Sequence, residues 1–403
     1  LRPDYYVKGS DFKDAESDKT GKLQQEKAVC EELGVKITFT KDIVFSSTNL
    51  INNFFSSYSD EVQQYLKLFK SHFDLSMVLE TIEEMSKLKV LVIGDTILDE
   101  YHYCSPLGAS SKDPVLAIQE ESFDLFAGGT LAIANHVASF VDQVKLVTVI
   151  GDEKENYESF IRDRMNPKID IDFFFQDDAP TLMKKRYVDG YSLTKLLEIY
   201  IMDDSGLSDD KDRELCRLLE EEFSRFDLVI AADFGHGAIS SRTRETLVAN
   251  APFLAVNTQA NAGNKRIHTV GRYPRADFVS VAEPEIRLDS RDVESSIRTL
   301  STEACTKYQC QNFIVTRGKK GSCIANKDGS FVVVPAFANK VIDRIGAGDA
   351  FFSVTALASF LNAPPSIIGL IGNVVGSLAV EIVGNQRAVR QDETVKCLTA
   401  ILK

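Results

Sequence analysis

Long apolar runs are the first thing this sequence lacks. No stretch approaches the ~18 residues that a membrane span requires, and the opening Leu1-Arg2-Pro3-Asp4-Tyr5 is polar, unlike a secretion signal. That opening also lacks Met, which implies that further residues precede Leu1 in the native protein. Positive charge is scarce too. With 46 Lys and Arg against 59 Asp and Glu, the net charge is −13, which argues against a nucleic acid or an anionic membrane as partner. The seven cysteines form no CxxC pair and have no histidine at ligand spacing, so thiols in a reducing cytoplasm are expected instead of disulfides or zinc. No GxxxxGKS or GxxxxGKT phosphate loop occurs anywhere.

What is present fits a large α/β protein with an appendage: 403 residues, 44% hydrophobic and 26% charged, can bury a full core. From Lys89 onward short apolar runs alternate with helical periods. Val90 to Ile93 ends at Gly94-Asp95, Val144 to Ile150 at Gly151-Asp152, Leu228 to Ala232 at Asp233, Phe253 to Val256 at Asn257, and Phe313 to Val315 at Thr316. Buried parallel strands deliver functional groups at their carboxyl edge in this way. Helical stretches such as 211–225 and 349–361 lie between the runs, so the pattern predicts a doubly wound parallel sheet. Residues 114–126 and 181–203 depart from it with period-two patterning and predict strands outside that sheet. Before Lys89, apolar positions at Val62, Tyr65, Leu66 and Phe69 and then at Phe73, Leu75, Val78, Leu79 and Ile82 predict linking helices over 59–88.

The chemistry concentrates in Asp343-Arg344-Ile345-Gly346-Ala347-Gly348-Asp349-Ala350-Phe351-Phe352. Small residues at Gly346, Ala347 and Gly348 let backbone N–H groups at a helix start face an anion. Asp349, in the same turn, is placed to take a proton from a hydroxyl that attacks this anion. Donors plus a base beside a phosphate are what phosphoryl transfer needs. The plain alternative is a Gly-rich strand-to-helix turn with a solvated Asp cap.

The run resembles the C-terminal signature of the ribokinase-like (PfkB) carbohydrate kinases, D-T-x-G-A-G-D, with Arg344 in place of the preferred Thr. Ala127-Gly128-Gly129-Thr130-Leu131-Ala132-Ile133-Ala134-Asn135 resembles that family's N-terminal signature. The resemblance implies an ATP- and Mg²⁺-dependent sugar kinase over 89–403, with a monovalent cation as a further candidate. It makes 114–126 and 181–203 a β-sheet lid over the sugar, which keeps water from the phosphoryl group. The lid's open edges make a homodimer the expected assembly.

Residue by residue, the likeness assigns Asp349 as the base and residues 346–348 as the anion hole. Asp95, Asp99, Gly128, Gly129 and Asn135 become sugar contacts. Lys184 and Arg186 alternate along a lid strand and so share a face, where two cations suit a substrate that already carries a phosphate. Thr316, Gly318 and Gly321 match the T-x-G-x-x-G turn at the nucleotide, Asn373 falls by the adenine, and Asp233, in Asp233-Phe234-Gly235-His236-Gly237, by the phosphates or metal. His236 stands where related heptose kinases have Lys and is not expected to be catalytic. The family's N-x-x-E element, which holds magnesium through water, falls at Ala282-Glu283-Pro284-Glu285. Glu285 is kept and the Asn is lost, so Glu283 is expected to compensate or the kinase to be weak.

Residues 1–58 are similar to part of a cytidylyltransferase-type nucleotidyltransferase, with Lys8, Ser46, Ser47 and Thr48 at matching places. The H-x-G-H element of that family is absent, because no two of the five histidines stand three positions apart, so a truncated domain without transfer activity is expected. An unrelated βα extension with a Ser/Thr helix cap is the alternative. The pairing of the two parts resembles bifunctional heptose kinase/adenylyltransferases, though those place the kinase first. It implies a heptose 7-phosphate as substrate. A hexose, pentose or nucleoside kinase, or a catalytically weak sugar- or nucleotide-binding protein, are the rivals.

Overall fold

The computed structural model describes residues 5–8, 29–30, 33–39, 58–153 and 157–403. The chain divides into two units, Leu1–Ser59 and Asp60–Leu402. In the first, β1 (Tyr5–Lys8) pairs in parallel with β2 (Lys36–Phe39), Tyr5 opposite Lys36 and Lys8 opposite Phe39. Ser46, Ser47 and Thr48 lie outside the described residues.

The second unit opens with α1 (Asp60–Lys70) and α2 (Leu75–Met85). Both follow from apolar spacing of i, i+4, i+7: Val62, Leu66 and Phe69 are buried on one, Val78, Ile82 and Met85 on the other. Asp74 caps α2 by accepting the Met77 N–H at 3.0 Å. These helices pack on the body of the second unit, where Tyr65 donates to the Ser366 carbonyl at 3.4 Å.

Next comes β3 (Lys89–Ala109), which belongs to two sheets at once. Its first half, Val90 to Ile93, is fully buried at the centre of the main sheet. At Gly94 a Cβ would lie 2.0 Å from the Ala232 carbonyl oxygen, so only glycine lets the strand pass. The second half pairs antiparallel with β4 (Leu116–Gly129), from Thr96 opposite Gly129 to Ala109 opposite Leu116. Helix α3 (Thr130–Ala138) follows directly.

The remaining elements complete both layers: β5 (Gln143–Gly151), α4 (Tyr157–Arg164), β6 (Ile169–Gln176), β7 (Met183–Asp189), β8 (Lys195–Ile201) and α5 (Asp209–Glu222). Then come β9 (Leu228–Asp233), α6 (Ser241–Asn250), β10 (Leu254–Thr258), β11 (Phe278–Ala282), α7 (Glu283–Ser290) and α8 (Ile297–Lys307). Last are β12 (Asn312–Thr316), β13 (Ser322–Asn326), β14 (Phe331–Val334), α9 (Ala347–Phe360), α10 (Pro365–Ala379) and α11 (Gln391–Leu402). The main sheet runs β14-β13-β12-β11-β10-β9-β3-β5-β6, parallel from β12 to β6 with β13 and β14 antiparallel at one edge. The predicted doubly wound sheet is therefore present, with a two-strand antiparallel margin added. Helix α9 is buried along 350–359, and Phe352 stacks on Phe278 with ring centroids 6.0 Å apart.

The predicted outlying strands form a lid in the order β4-β3-β7-β8. Residue alternation gives it two faces. Arg186 lies opposite Tyr101 of β3 and opposite Glu198 of β8, which puts Asp99, Tyr101, Lys184, Arg186 and Glu198 on the same face. Among the described residues all seven cysteines are free, and no helix is long and apolar enough to cross a membrane.

Candidate active site

Helix α9 begins behind Gly346, whose φ of 77° is left-handed and whose Cβ, if present, would lie 2.2 Å from Asn385 Oδ1. The N–H groups of Ala347, Gly348 and Asp349 therefore head a helix without intrahelical partners. Gly348 is exposed, with nothing within 4 Å of where a Cβ would stand, so the space above the turn is open. The turn is fastened from below by Asp343. Its carboxylate accepts from Tyr101 Oη at 2.8 Å, Gly384 N at 2.9 Å and Ile345 N at 3.1 Å. Burial alone would raise the Asp343 carboxyl, but those three bonds hold it below the ordinary range.

Asp349 is treated differently. Its carboxylate has no hydrogen-bond partner among the described residues. Burial first, then the Asp99 carboxylate and, after the opposing pull of Lys184, Glu285, push its pKa up to about 7. A carboxyl that changes charge near neutrality is what this combination produces.

Asp99 is buried, paired with Arg186 and reached by Asn385 Nδ2 at 3.3 Å. Arg186 also holds Glu198 through Nε at 2.9 Å and lies over the Tyr101 ring. Both of its charge partners are thus protein groups. Lys184, on the same face and equally buried, has no carboxylate within ion-pair distance among the described residues; its Nζ lies 5.2 Å from the Tyr200 ring centre. Burial lowers its pKa, against the pull of Asp99. Gly128 approaches Asp99 so closely that a Cβ would lie 2.3 Å from Asp99 Oδ2, and Gly129, at φ 57°, packs on Ile97.

Several predicted contacts are engaged within the fold. Asp95 accepts the N–H groups of Phe234 and Ala238 at 2.9 Å and of His236 at 3.3 Å. Burial and then Asp233 raise its pKa to about 6. Asp233 accepts from Tyr273 Oη and faces His268 Nε2, both at 2.8 Å. His236 faces Asp204 at 3.1 Å, and burial and then Lys184 lower its pKa. Asn135 donates to the Arg164 carbonyl at 3.2 Å and accepts from Asn166 N at 2.8 Å. Asn373 donates to Ser322 Oγ at 2.7 Å and the Gly369 carbonyl at 2.8 Å.

At the expected nucleotide edge, Thr316 ends β12, Gly318 at φ 56° faces open space, and Gly321 at φ 76° passes the Val334 carbonyl where a Cβ would be 2.0 Å away. Each Glu285 oxygen accepts one backbone N–H, from Ala282 at 2.7 Å and from Ala260 at 3.1 Å. Burial raises its pKa against those bonds. Glu283 is held by Arg287 at 2.9 Å and Arg317 at 3.0 Å, so it is not released to replace the missing Asn. No group of three or more His, Cys, Asp and Glu is placed to hold a metal among the described residues.

The structure thus gathers Asp349, Asp99, Lys184 and Glu285 into one electrostatic neighbourhood at the head of α9. Sequence reasoning passed over Asn385, Glu198 and the Asp343–Tyr101 clamp. Glu198 was findable, because pairing the two predicted lid strands sets it opposite Arg186. Asn385 offered only a Gly-Asn turn signal.

A mostly parallel sheet with a strand-built lid and a glycine turn at a buried helix is the architecture of the ribokinase-like fold. Solved structures agree. Phosphofructokinase-2 from Escherichia coli, in complex with substrates and products, superposes with a TM-score of 0.61 at 13% identity over 78% of this chain and 100% of that one. Ribokinase from Arabidopsis thaliana, complexed with ribose and ATP, gives 0.58 at 15% over 77% and 99%. The model of the pfkB family of carbohydrate kinases matches residues 87–392, and the chain belongs to that family. Curated relatives include the bifunctional protein HldE of Rhodopseudomonas palustris, 26% identical over 288 residues, or 69% of this chain and 56% of the relative. HldE of Haemophilus influenzae strain Rd is 27% identical over 279 residues, 68% and 56%. The chain spans about six-tenths of the length of such relatives.

Proposed function

We propose that this protein transfers the γ-phosphoryl group of ATP to a hydroxyl of a phosphorylated sugar, a heptose 7-phosphate being favoured and its anomeric hydroxyl the acceptor. The observation that carries the reading is Asp349: a carboxylate without a hydrogen-bond partner among the described residues, raised to about 7, at the head of a glycine-entered helix. Asp349 takes the acceptor's proton as its oxygen bonds to phosphorus, and the bond from phosphorus to the ADP oxygen breaks. The N–H groups of residues 347–349 and the helix dipole stabilise the charge on the transferring group. The lid excludes water from it. Relatives named HldE favour the heptose, at about a quarter identity.

Lys184 is the cation for the substrate's own phosphate in this reading. Arg186, held by Asp99 and Glu198, positions Asp99 for the sugar. Thr316, Gly318 and Gly321 border the nucleotide, with Asn373 and Asp233 bracing the walls around it. Mg²⁺ fits only as an ion held chiefly by nucleotide phosphates and water, which is its usual habit. Glu285, with lone pairs left beside its two backbone contacts, would reach it through water, and the ion would neutralise charge on the phosphates. A monovalent cation is a further candidate activator. The free thiols and the use of ATP fit the cytoplasm. The same reading makes the protein a homodimer through the lid's other face, where Phe123, Leu197 and Ile199 are 59%, 54% and 41% exposed.

One observation favours a second reading. With Arg186 engaged, a single cation is left for a remote phosphate, and a neutral hexose, pentose or nucleoside needs none. An ATP-consumption screen of the purified chain over heptose 7-phosphate, free heptose, hexoses, pentoses and nucleosides decides between them. Turnover is expected to be highest on the sugar phosphate; a preference for a neutral sugar refutes the first reading, and no turnover on any refutes both.

A further inference from the structure

Grooves on this acidic chain differ in charge. The one beside β6 mixes Glu158, Asp172, Glu214 and Glu221 with Arg162, Lys211 and Arg217. A second groove, of about 360 Å³, lies where the base of β4 meets α3, the end of α4 and the turn before α11. Arg164, Arg387 and Arg390 line it, and no acidic side chain among the described residues does. Three guanidinium groups around one acid-free hollow are unexpected in a chain with 59 acids and 46 Lys and Arg.

These arginines have donors to offer. Arg164 lies 5.4 Å from the Phe160 ring centre and makes no ion pair with a described residue. Arg387 pairs with Glu393 at 2.8 Å and donates to the Ala388 carbonyl at 3.2 Å, and Arg390 pairs with Asp392 at 3.0 Å and Glu393 at 3.5 Å, yet a guanidinium has five N–H donors, so each keeps some for a ligand. The groove wall is also fixed, since Asn135 of α3 clamps the Arg164 turn from both its amide atoms. Its inner wall includes Asn385, which donates to Asp99 at 3.3 Å and stands against Gly346 at the head of α9. One side chain therefore joins the groove to the catalytic turn.

We propose that this groove binds a phosphate monoester, held by Arg164, Arg387 and Arg390, and that Asn385 couples its occupancy to Asp99 and the Gly346 turn. The phosphate has two sources, a separate phosphorylated metabolite, which leaves Lys184 with the substrate's own phosphate, or the far end of the sugar substrate, which takes that role from Lys184, and the chemistry of recognition is the same. Only the kinetic arm of the test rests on the kinase reading.

The binding arm needs no turnover. The full chain carrying Lys184→Ala, which weakens phosphate binding at the active site, is titrated with inorganic phosphate at constant ionic strength by calorimetry. Saturable binding is expected, weakened at least about tenfold by Arg164→Ala or Arg387→Ala. Arg298→Ala, removing an arginine that lies over Phe331 far along the chain, should leave it unchanged. Arg164→Gln replaces Arg164→Ala if the latter fails to fold. Absence of saturable binding, or equal affinity in all variants, overturns the proposal. The kinetic arm then compares KM for heptose 7-phosphate and free heptose in chains with Lys184 intact. A rise confined to the phosphorylated sugar identifies the substrate's own phosphate. An unmoved KM, with turnover of the neutral sugar altered by added phosphate in wild type and not in Arg164→Ala, identifies a separate ligand. No change in either measure overturns the coupling through Asn385.

Discussion

Asp95, within β3, and Asp349, in the first turn of α9, each follow a glycine; Asp95 is buried and Asp349 partly buried, and in both desolvation lifts the pKa, to about 6 for Asp95 and about 7 for Asp349. Their surroundings differ in one respect. Asp95 accepts three backbone N–H groups from the segment 234–238. Asp349 accepts none from a described residue. A carboxylate surrounded by amides is a fastener, because its lone pairs are occupied and its loss would orphan the donors. On the proposed reading, a carboxylate raised to neutrality and left unsatisfied keeps its lone pairs for a substrate proton. The difference between structure and chemistry here lies in hydrogen-bond satisfaction, which the pKa alone does not reveal.

Asp349→Asn is the sharpest way to break this comparison. It should lower kcat by ~10²–10⁴ while ATP affinity, by direct titration, stays within a few-fold. In wild type kcat should fall about tenfold per pH unit below about 7, because the base must be ionised, and level off above. The stability effect has the opposite sign. A carboxyl whose folded pKa is raised adds stability at pH below its ordinary value, and this is lost as pH rises through about 7. Asn stays neutral, so Asp349→Asn should be more stable than wild type by about 1–3 kcal/mol at pH 8, the two converging near pH 4, in urea melts. A variant with near-normal turnover removes Asp349 from the mechanism.

The two lid cations repeat the contrast. Arg186→Ala leaves Asp99 buried without its partner and should cost about 3–5 kcal/mol in the same melts. Asp95→Asn, which offers one acceptor oxygen to three donors, should cost about 1–3 kcal/mol. Lys184→Ala breaks no ion pair with a described residue. It should spare stability and raise KM for a sugar phosphate by about 10- to 100-fold, with free sugar unaffected. Equal KM losses on both sugars would return Lys184 to the transferring phosphoryl group.

How much of this was legible beforehand depends on what kind of fact is asked for. The strands ending at Asp233 and Thr316 and the helix opening at 347 follow from burial patterns that any packed sheet imposes on its sequence. The continuation of β3 past Asp95 to Ala109 did not, because Gly94-Asp95 reads as a strand end and only the approach of Ala232 explains the glycine. Site residue types were visible, yet their employment was not. Nothing in the sequence says that Asn373 faces Ser322, that Asn135 turns to residues 164–166, or that Arg186 already has two acids. Those are facts of distance between segments, and sequence spacing carries no information about them unless a register can be inferred, as it could for Glu198.

The smallest expected effect concerns the metal, and it tests whether an unsatisfied group also marks function at the other end of the site. Ala282 heads α7, and Glu285 closes only half of a capping box, because alanine has no side-chain acceptor to return. On the proposed reading the missing amide has two consequences, a weaker cap and one fewer group near the nucleotide phosphates. Ala282→Asn should restore both. A cap is worth about 1 kcal/mol, and outer-shell contacts to a metal about tenfold in affinity at the low end of their range. The two separate cleanly, since the cap acts in the apo protein and the metal effect only with nucleotide present. If the Mg²⁺ concentration for half-maximal turnover falls about tenfold, position 282 belongs to the metal's surroundings. If only thermal stability rises, the alanine is a lost cap, and Glu285 serves the helix rather than the ion.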